Sequence, residues 1–199
     1  SRKRVYSQET NPKGVTFNTD GTKMFVTGSA GDDVNEYTLS TGFDVSTASF
    51  VDSFSVRGQE STPAGVTFNT DGTKMFVTGP NSNNVNEYTL STGFDVSTAS
   101  FVDSFDVSGQ ETTPYGLAFN TDGTKMFVTG SNSDNVNEYT LSTGFDVSTA
   151  SFVGSFSVSG QDGSPFSIAF NTGGTKMFVL GYNGKDVNEY TLTLSLIHI

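Results

Sequence analysis

The sequence predicts an all-β fold, a β-propeller of four tandem 51-residue, four-stranded antiparallel blades. Three observations predict it. The segment Gly14-Val15-Thr16-Phe17-Asn18-Thr19-Asp20-Gly21-Thr22-Lys23-Met24-Phe25-Val26 recurs from Gly65, Gly116 and Ser167, always 51 residues apart. Each copy holds four short strand-like runs bounded by turn residues. Four antiparallel strands repeated every 40–50 residues or so is the pattern of propeller blades.

In the first unit, strand A is Gly14 to Asn18, strand B Lys23 to Gly28, strand C Val34 to Leu39 and strand D Ser49 to Val56. The A–B connection Asn18-Thr19-Asp20-Gly21-Thr22 is a hairpin signal, because Asp caps a tight turn and Gly supplies a positive φ. Pro12, Pro63, Pro114 and Pro165 stand just before strand A, where a missing N–H costs no ladder bond. Alternation along the strands is loose, as expected of sheets covered on both faces. Stacking the blades should bury Phe17, Phe25, Tyr37, Phe43, Phe50 and Phe54, with their copies, between neighbours.

Phe25-Val26-Thr27-Gly28 and the turn Asn18-Thr19-Asp20-Gly21 resemble the Tyr-Val-Thr-Asn and Ser-Pro-Asp-Gly signatures of bacterial YVTN-type propeller repeats, over residues 14 to 192. The longer wording, with Val34-Asn35-Glu36-Tyr37-Thr38-Leu39 and Phe43-Asp44-Val45-Ser46-Thr47-Ala48, is similar to repeats of marine bacterial and phage surface proteins. The resemblance implies an architecture and says little about activity.

The repeat domain is expected over 1–193, with units from 14, 65, 116 and 167 and residues 1–13 as the end of a preceding unit. The tail Leu194-Ser195-Leu196-Ile197-His198-Ile199 breaks the repeat. It resembles the translation of a transposon mosaic-end adaptor used in sequencing libraries, so 194–199 is expected not to be native. The domain is then expected to be a fragment of a larger ring. The alternative is a four-bladed ring in which residues 1–6, aligned with the end of strand D, complete the last blade.

Composition narrows the function classes. A net charge of −11 repels phosphate backbones and anionic lipid, so nucleic acid is excluded as a partner. No apolar run approaches the ~20 residues of a helical membrane span, so membrane insertion is not expected. Without Cys there are no disulfides and no thiolate sites.

Catalytic constellations are missing from the pattern. With His198 set aside, no His-based triad or metal site can be assembled. Asp20 and its copies belong to turns. Glu36, Glu87, Glu138 and Glu189 in strand C should pair across the ladder with Lys23, Lys74, Lys125 and Lys176. Asn18 and its copies should bond turn backbone. Calcium through Asp32, Asp33, Asp134 and Asp186 lacks EF-hand spacing, and Lys185 spoils the fourth loop. The expectation is therefore a chain that is not an enzyme and has no cofactor. The alternatives are part of a lactonase-like propeller hydrolase with its catalytic residues elsewhere, or a spacer without a ligand.

The copies differ in a localised way. The B–C loops read Ser29-Ala30-Gly31-Asp32-Asp33, Pro80-Asn81-Ser82-Asn83-Asn84, Ser131-Asn132-Ser133-Asp134-Asn135 and Tyr182-Asn183-Gly184-Lys185-Asp186. Before strand A, Lys13 gives way to Ala64, Tyr115 and Phe166, and in the D–A connection Glu60 and Glu111 give way to Asp162. B–C and D–A connections emerge on one face of an up-and-down blade. The candidate ligand-binding residues are thus Asp32, Asp33, Asn83, Asn84, Asp134, Asn135, Tyr182, Lys185, Ala64, Tyr115 and Phe166. They predict a binding or adhesion scaffold for a glycan or protein ligand, at a cell or virion surface or otherwise extracellular. Near-identical units also predict blade exchange between chains, giving a homo-oligomer.

Overall fold

The computed structural model describes residues 2–192. The chain is an all-β propeller whose sheets each meander outward from a common axis. Blade 1 is β1 (Pro12–Phe17), β2 (Lys23–Gly28), β3 (Asp33–Leu39) and β4 (Ala48–Ser55). Blade 2 is β5 (Gly65–Phe68), β6 (Lys74–Thr78), β7 (Asn84–Leu90) and β8 (Ala99–Asp106). Blade 3 is β9 (Pro114–Phe119), β10 (Lys125–Gly130), β11 (Asn135–Leu141) and β12 (Ala150–Ser157). Blade 4 has three strands among the described residues: β13 (Pro165–Phe170), β14 (Lys176–Gly181) and β15 (Val187–Thr191). The tail 194–199 lies outside the described residues.

The A–B turn forms as its residues dictate. Asp20 Oδ1 accepts from Thr22 N at 2.9 Å, and Asn18 Oδ1 accepts from Lys23 N at 2.8 Å. Gly21 takes φ 71°, and a Cβ there would collide with the Phe43 ring packed over it. The C–D connection contains a single 3₁₀ turn at Val45–Thr47, with copies at Val96–Thr98 and Val147–Thr149. Asp44, Asp95 and Asp146 cap these turns through bonds from Ser46, Ser97 and Ser148 N.

The core lies between blades. Phe25, Val34 and Val56 of blade 1 pack against Val66, Met75, Val77, Tyr88, Leu90 and Val96 of blade 2. Blades 2 and 3 repeat this arrangement with Phe76, Val85 and Val107. An ion pair latches each of these two junctions. Lys23 Nζ meets Glu36 Oε1 at 2.7 Å and also donates to Phe94 O of the next blade at 2.7 Å. Glu36 Oε2 accepts from Val96 N at 3.0 Å. Lys74 and Glu87 make the same bonds to Phe145 O and Val147 N. The four expected strand B–strand C pairs therefore form, and those of blades 1 and 2 also join one blade to the next.

The expected burial of aromatics holds for Phe25 and Tyr37 but not for Phe43 and Phe50, which are exposed. Phe50 stands on the outermost strand, where a register shift leaves Val51 unpaired, and it packs only edge-on against Tyr37. Such a bulge bends an edge strand away from further pairing.

The outer faces of blades 1 and 4 are not covered like the inner junctions. Val15 is 60% exposed, whereas its copies Val66, Leu117 and Ile168 are buried. The Glu189 side chain is 49% exposed, whereas that of Glu36 is 2%. Residues 2–5 form no strand beside β15. Instead Val5 packs on the Met24, Val26, Tyr37 and Leu39 cluster of blade 1, and Lys3 Nζ donates to Ala48 O at 2.7 Å. Completion of the last blade by these residues is thus not realised: Val5 packs on blade 1 as Val56 packs on blade 2, but residues 2–5 do not pair with β15.

Candidate functional site

The axis has two ends, and each carries a candidate site. At the B–C end, the sequence candidates are mostly builders of their own loops. Asp32, Asn83, Asp134 and Lys185 share a left-handed φ of 54–58°. The carbonyls of Asp32, Asn83 and Asp134 accept from Val56, Val107 and Val158 N at 2.9–3.0 Å. Asx residues tolerate this conformation best, which accounts for three of the four choices. Asp33 Oδ1 accepts from Asn35 Nδ2 at 2.7 Å, and burial pushes the Asp33 carboxyl above the ordinary aspartate value. Asn84 O and Asn135 O accept from Thr78 and Thr129 Oγ1.

A set of buried carboxylates holds this end together. Glu60 Oε1 accepts from Thr62 N at 2.7 Å and Oε2 from Ser82 N at 2.9 Å. Glu9 and Glu111 repeat the staple to Gly31 N and Ser133 N. Asp162, one methylene shorter, still reaches Gly184 N. The D–A difference among copies is therefore a variation in a buried fastening, not in an exposed loop. A carboxylate repeated every 51 residues was the signal for it.

The aromatic candidates converge. Tyr115 and Phe166 stack at 4.1 Å with planes 13° apart, and Tyr182 lies 5.9 Å from Phe166. Lys13 Nζ stands 5.8 Å from the Phe166 ring centre. Tyr182 is 68% exposed, whereas Ala64 is buried with its N–H bonded to Thr78 O. Rings that face one another have less surface left for a ligand than separate platforms.

The opposite end holds a cavity of about 370 Å³ on the axis. The last residues of the inner strands and the A–B turns line it. Phe17, Phe68, Phe119 and Phe170 supply apolar edges, and Thr16, Thr67, Asn69 and Asn120 supply hydroxyls and amides. Its turns are tied to each other: Thr19 Oγ1 donates to Thr70 O and Thr70 Oγ1 to Thr121 O, both at 3.4 Å. Each Asn is engaged by its own turn at both ends: Asn69 Oδ1 accepts from Lys74 N at 2.9 Å and Nδ2 donates to Thr73 Oγ1 at 3.2 Å, which leaves one amide hydrogen and one lone pair for other partners. None of the eleven sequence candidates lines this cavity. Its walls come from the segments that stay fixed between copies, so attention to differing residues pointed to the other end. Among the described residues, no group of three or more His, Cys, Asp or Glu could hold a metal ion.

No family model and no curated protein sequence matches the chain. Solved structures of the same architecture do. One is a Bacteroides uniformis protein provisionally named 6-phosphogluconolactonase, 12% identical with TM-score 0.63, over 97% of this chain and 54% of that one. Another is the periplasmic gluconolactonase of Pseudomonas aeruginosa, 19% identical with TM-score 0.58, over 90% and 49%. A third is the hydrazine synthase of Kuenenia stuttgartiensis, 16% identical with TM-score 0.62, over 91% and 46%. The chain spans about half the length of these structures. They establish the propeller fold. They also overturn the expectation that the chain is not an enzyme, since two of the three carry lactonase names on this scaffold.

Proposed function

We propose that these blades form one wall of a propeller hydrolase of the lactonase kind, binding and orienting a small polyhydroxylated cyclic ester. The observation that carries this reading is the axial cavity, with seven phenylalanines and a girdle of Thr and Asn. Aromatic edges suit the C–H faces of a sugar-derived ring, while hydroxyls and amides suit its hydroxyl rim. The architecture shared with named lactonases supports the reaction class. No carboxylate lines the cavity among the described residues, so the group that activates water is expected to come from elsewhere in the protein.

The test is calorimetric titration with D-glucono-1,5-lactone and with gluconate. The reading expects saturable binding of the lactone and its loss in Ala118→Trp, which fills the cavity. Absence of binding, or binding that survives the filled cavity, defeats it.

A second reading is favoured by the Tyr115–Phe166–Tyr182 stack with Lys13 beside it: a glycan or peptide contact at the B–C end. Glycan-array binding that disappears in Tyr182→Ala, with the cavity unblocked, would support this reading.

A further inference from the structure

The sides of the axial cavity are not alike. Thr16 of β1 and Thr67 of β5 line it, but the third copy of that position is Ala118 of β9. The fourth copy is Ala169, so blades 1 and 2 carry a hydroxyl where blades 3 and 4 carry none. Both threonines are half-buried. Among the described residues, neither hydroxyl bonds a protein group. Neighbouring threonines are engaged: Thr19 and Thr70 donate to the next turn, and Thr27, Thr78 and Thr129 donate to Asp33, Asn84 and Asn135 O. Thr121 and Thr172 stand exposed at the rim, where water serves them. The Thr16 and Thr67 hydroxyls are therefore free hydrogen-bonding capacity on one side of the wall.

The other side is more apolar. Thr16, Thr67 and Ala118 stand opposite Phe25, Phe76 and Phe127 in the ladder. Of these three rings only Phe127 reaches the cavity. The smaller side chain at 118 leaves an edge of that ring in the wall.

Charge narrows the ligand further. Among the described residues, no Lys, Arg or His lines the cavity. The strand B lysines are held by Glu36, Glu87, Glu138 and Glu189. The turns that frame the cavity instead carry the exposed carboxyls of Asp20, Asp71 and Asp122. Bonds from Thr22, Thr73 and Thr124 hold these below the ordinary aspartate value, so they are anionic at neutral pH. A phosphate entering past them would lose hydration with no cation to replace it.

We propose that the cavity selects an uncharged, two-faced sugar lactone of the 6-deoxy kind, with ring hydroxyls on Thr16 and Thr67 and the methyl group against Ala118 and Phe127. This rests on the lactone reading and names the substrate within it.

The test is calorimetric titration of the 199-residue chain with freshly dissolved D-glucono-1,5-lactone, its 6-deoxy analogue and its 6-phosphate. The 6-deoxy lactone should bind about threefold or more tighter than the parent, as one buried methyl requires. The phosphate should bind about tenfold or more weaker than the parent. T16V/T67V keeps size and β-branching and should weaken parent binding by about tenfold. A118T installs the residue that blades 1 and 2 already hold at this position, and it should abolish the preference for the 6-deoxy lactone. Circular dichroism identical to wild type shows that both variants are folded. Phosphate binding equal to the parent, or parent affinity unchanged in T16V/T67V, overturns this proposal and leaves the lactone reading standing. Wild type that binds none of the three removes both.

Discussion

At the scale of the residue, a few polar side chains decide local geometry because they are buried where water cannot substitute. Glu60 and Glu111 accept backbone N–H groups from two loops at once. Removing such a carboxylate leaves several donors unpaired. Glu111→Ala is expected to lower stability by about 2–3 kcal/mol, read from the urea midpoint. The A–B turn offers a complementary case. Asp20, Asp71 and Asp122 accept from Thr22, Thr73 and Thr124, and the hydroxyl bond followed by the amide bond holds each carboxyl below its ordinary value of 3.8. A carboxyl lowered in the folded state stabilises fully above the unfolded value. That contribution is lost as pH falls through the folded value. Melts from pH 5 down to pH 2 should therefore show an acid limb beginning near pH 4, shallower in Asp71→Asn. The fourth turn has Gly173 in this place, with open space around a Cβ. Gly173→Asp should stabilise by about 0.5–1 kcal/mol, through lower unfolded-state entropy and a new bond to Thr175 N. These turn roles were legible in the sequence, because Asp-Gly between strands has few other uses. The Glu staples were not, because a Glu in a polar loop looks solvated until the loop is seen folded over it.

At the scale of the element, strand existence and type were legible within about two residues, since each run is short, β-rich and fenced by Gly, Pro or Asp. What could not be read was the direction in which a side chain works across elements. The pairing of Lys23 with Glu36 is visible as a strand B–strand C relation, but its reach to Phe94 O and Val96 N spans 71 and 60 residues. That reach makes the pair a junction between blades, and it predicts an asymmetry. Lys74→Met leaves Glu87 buried beside an apolar chain and should cost about 3 kcal/mol. Lys176→Met affects a pair exposed on both sides and should cost under about 0.5 kcal/mol. Equal losses in thermal melts of the two variants would contradict the latch. The outermost strand departs from the expectation that stacking buries Phe50, since its neighbour Val51 is an extra residue at a bulge and Phe50 stays exposed.

At the scale of the whole molecule, the repeat makes the propeller almost unavoidable: a lone twisted sheet leaves two apolar faces, and identical neighbours cover them. The same identity hid the cavity. Differences between copies drew attention to the B–C end, where most candidates turn out to shape loops, while the fixed A–B turns around the axis enclose the space. A wall built from one Phe and one turn Thr per blade, with Asn69, Asn120 and Asn171 from three of them, reads in the sequence as turn chemistry alone. Only the arrangement about the axis brings those residues within reach of one ligand. The most direct measurement is an amide and side-chain NMR titration of isotope-labelled protein with D-glucono-1,5-lactone. The account predicts shifts confined to the A–B end, at Thr67, Asn69, Phe119 and Asn120. Shifts at Tyr115, Phe166 and Tyr182 with the A–B turns unmoved would contradict it and place the binding site at the other end.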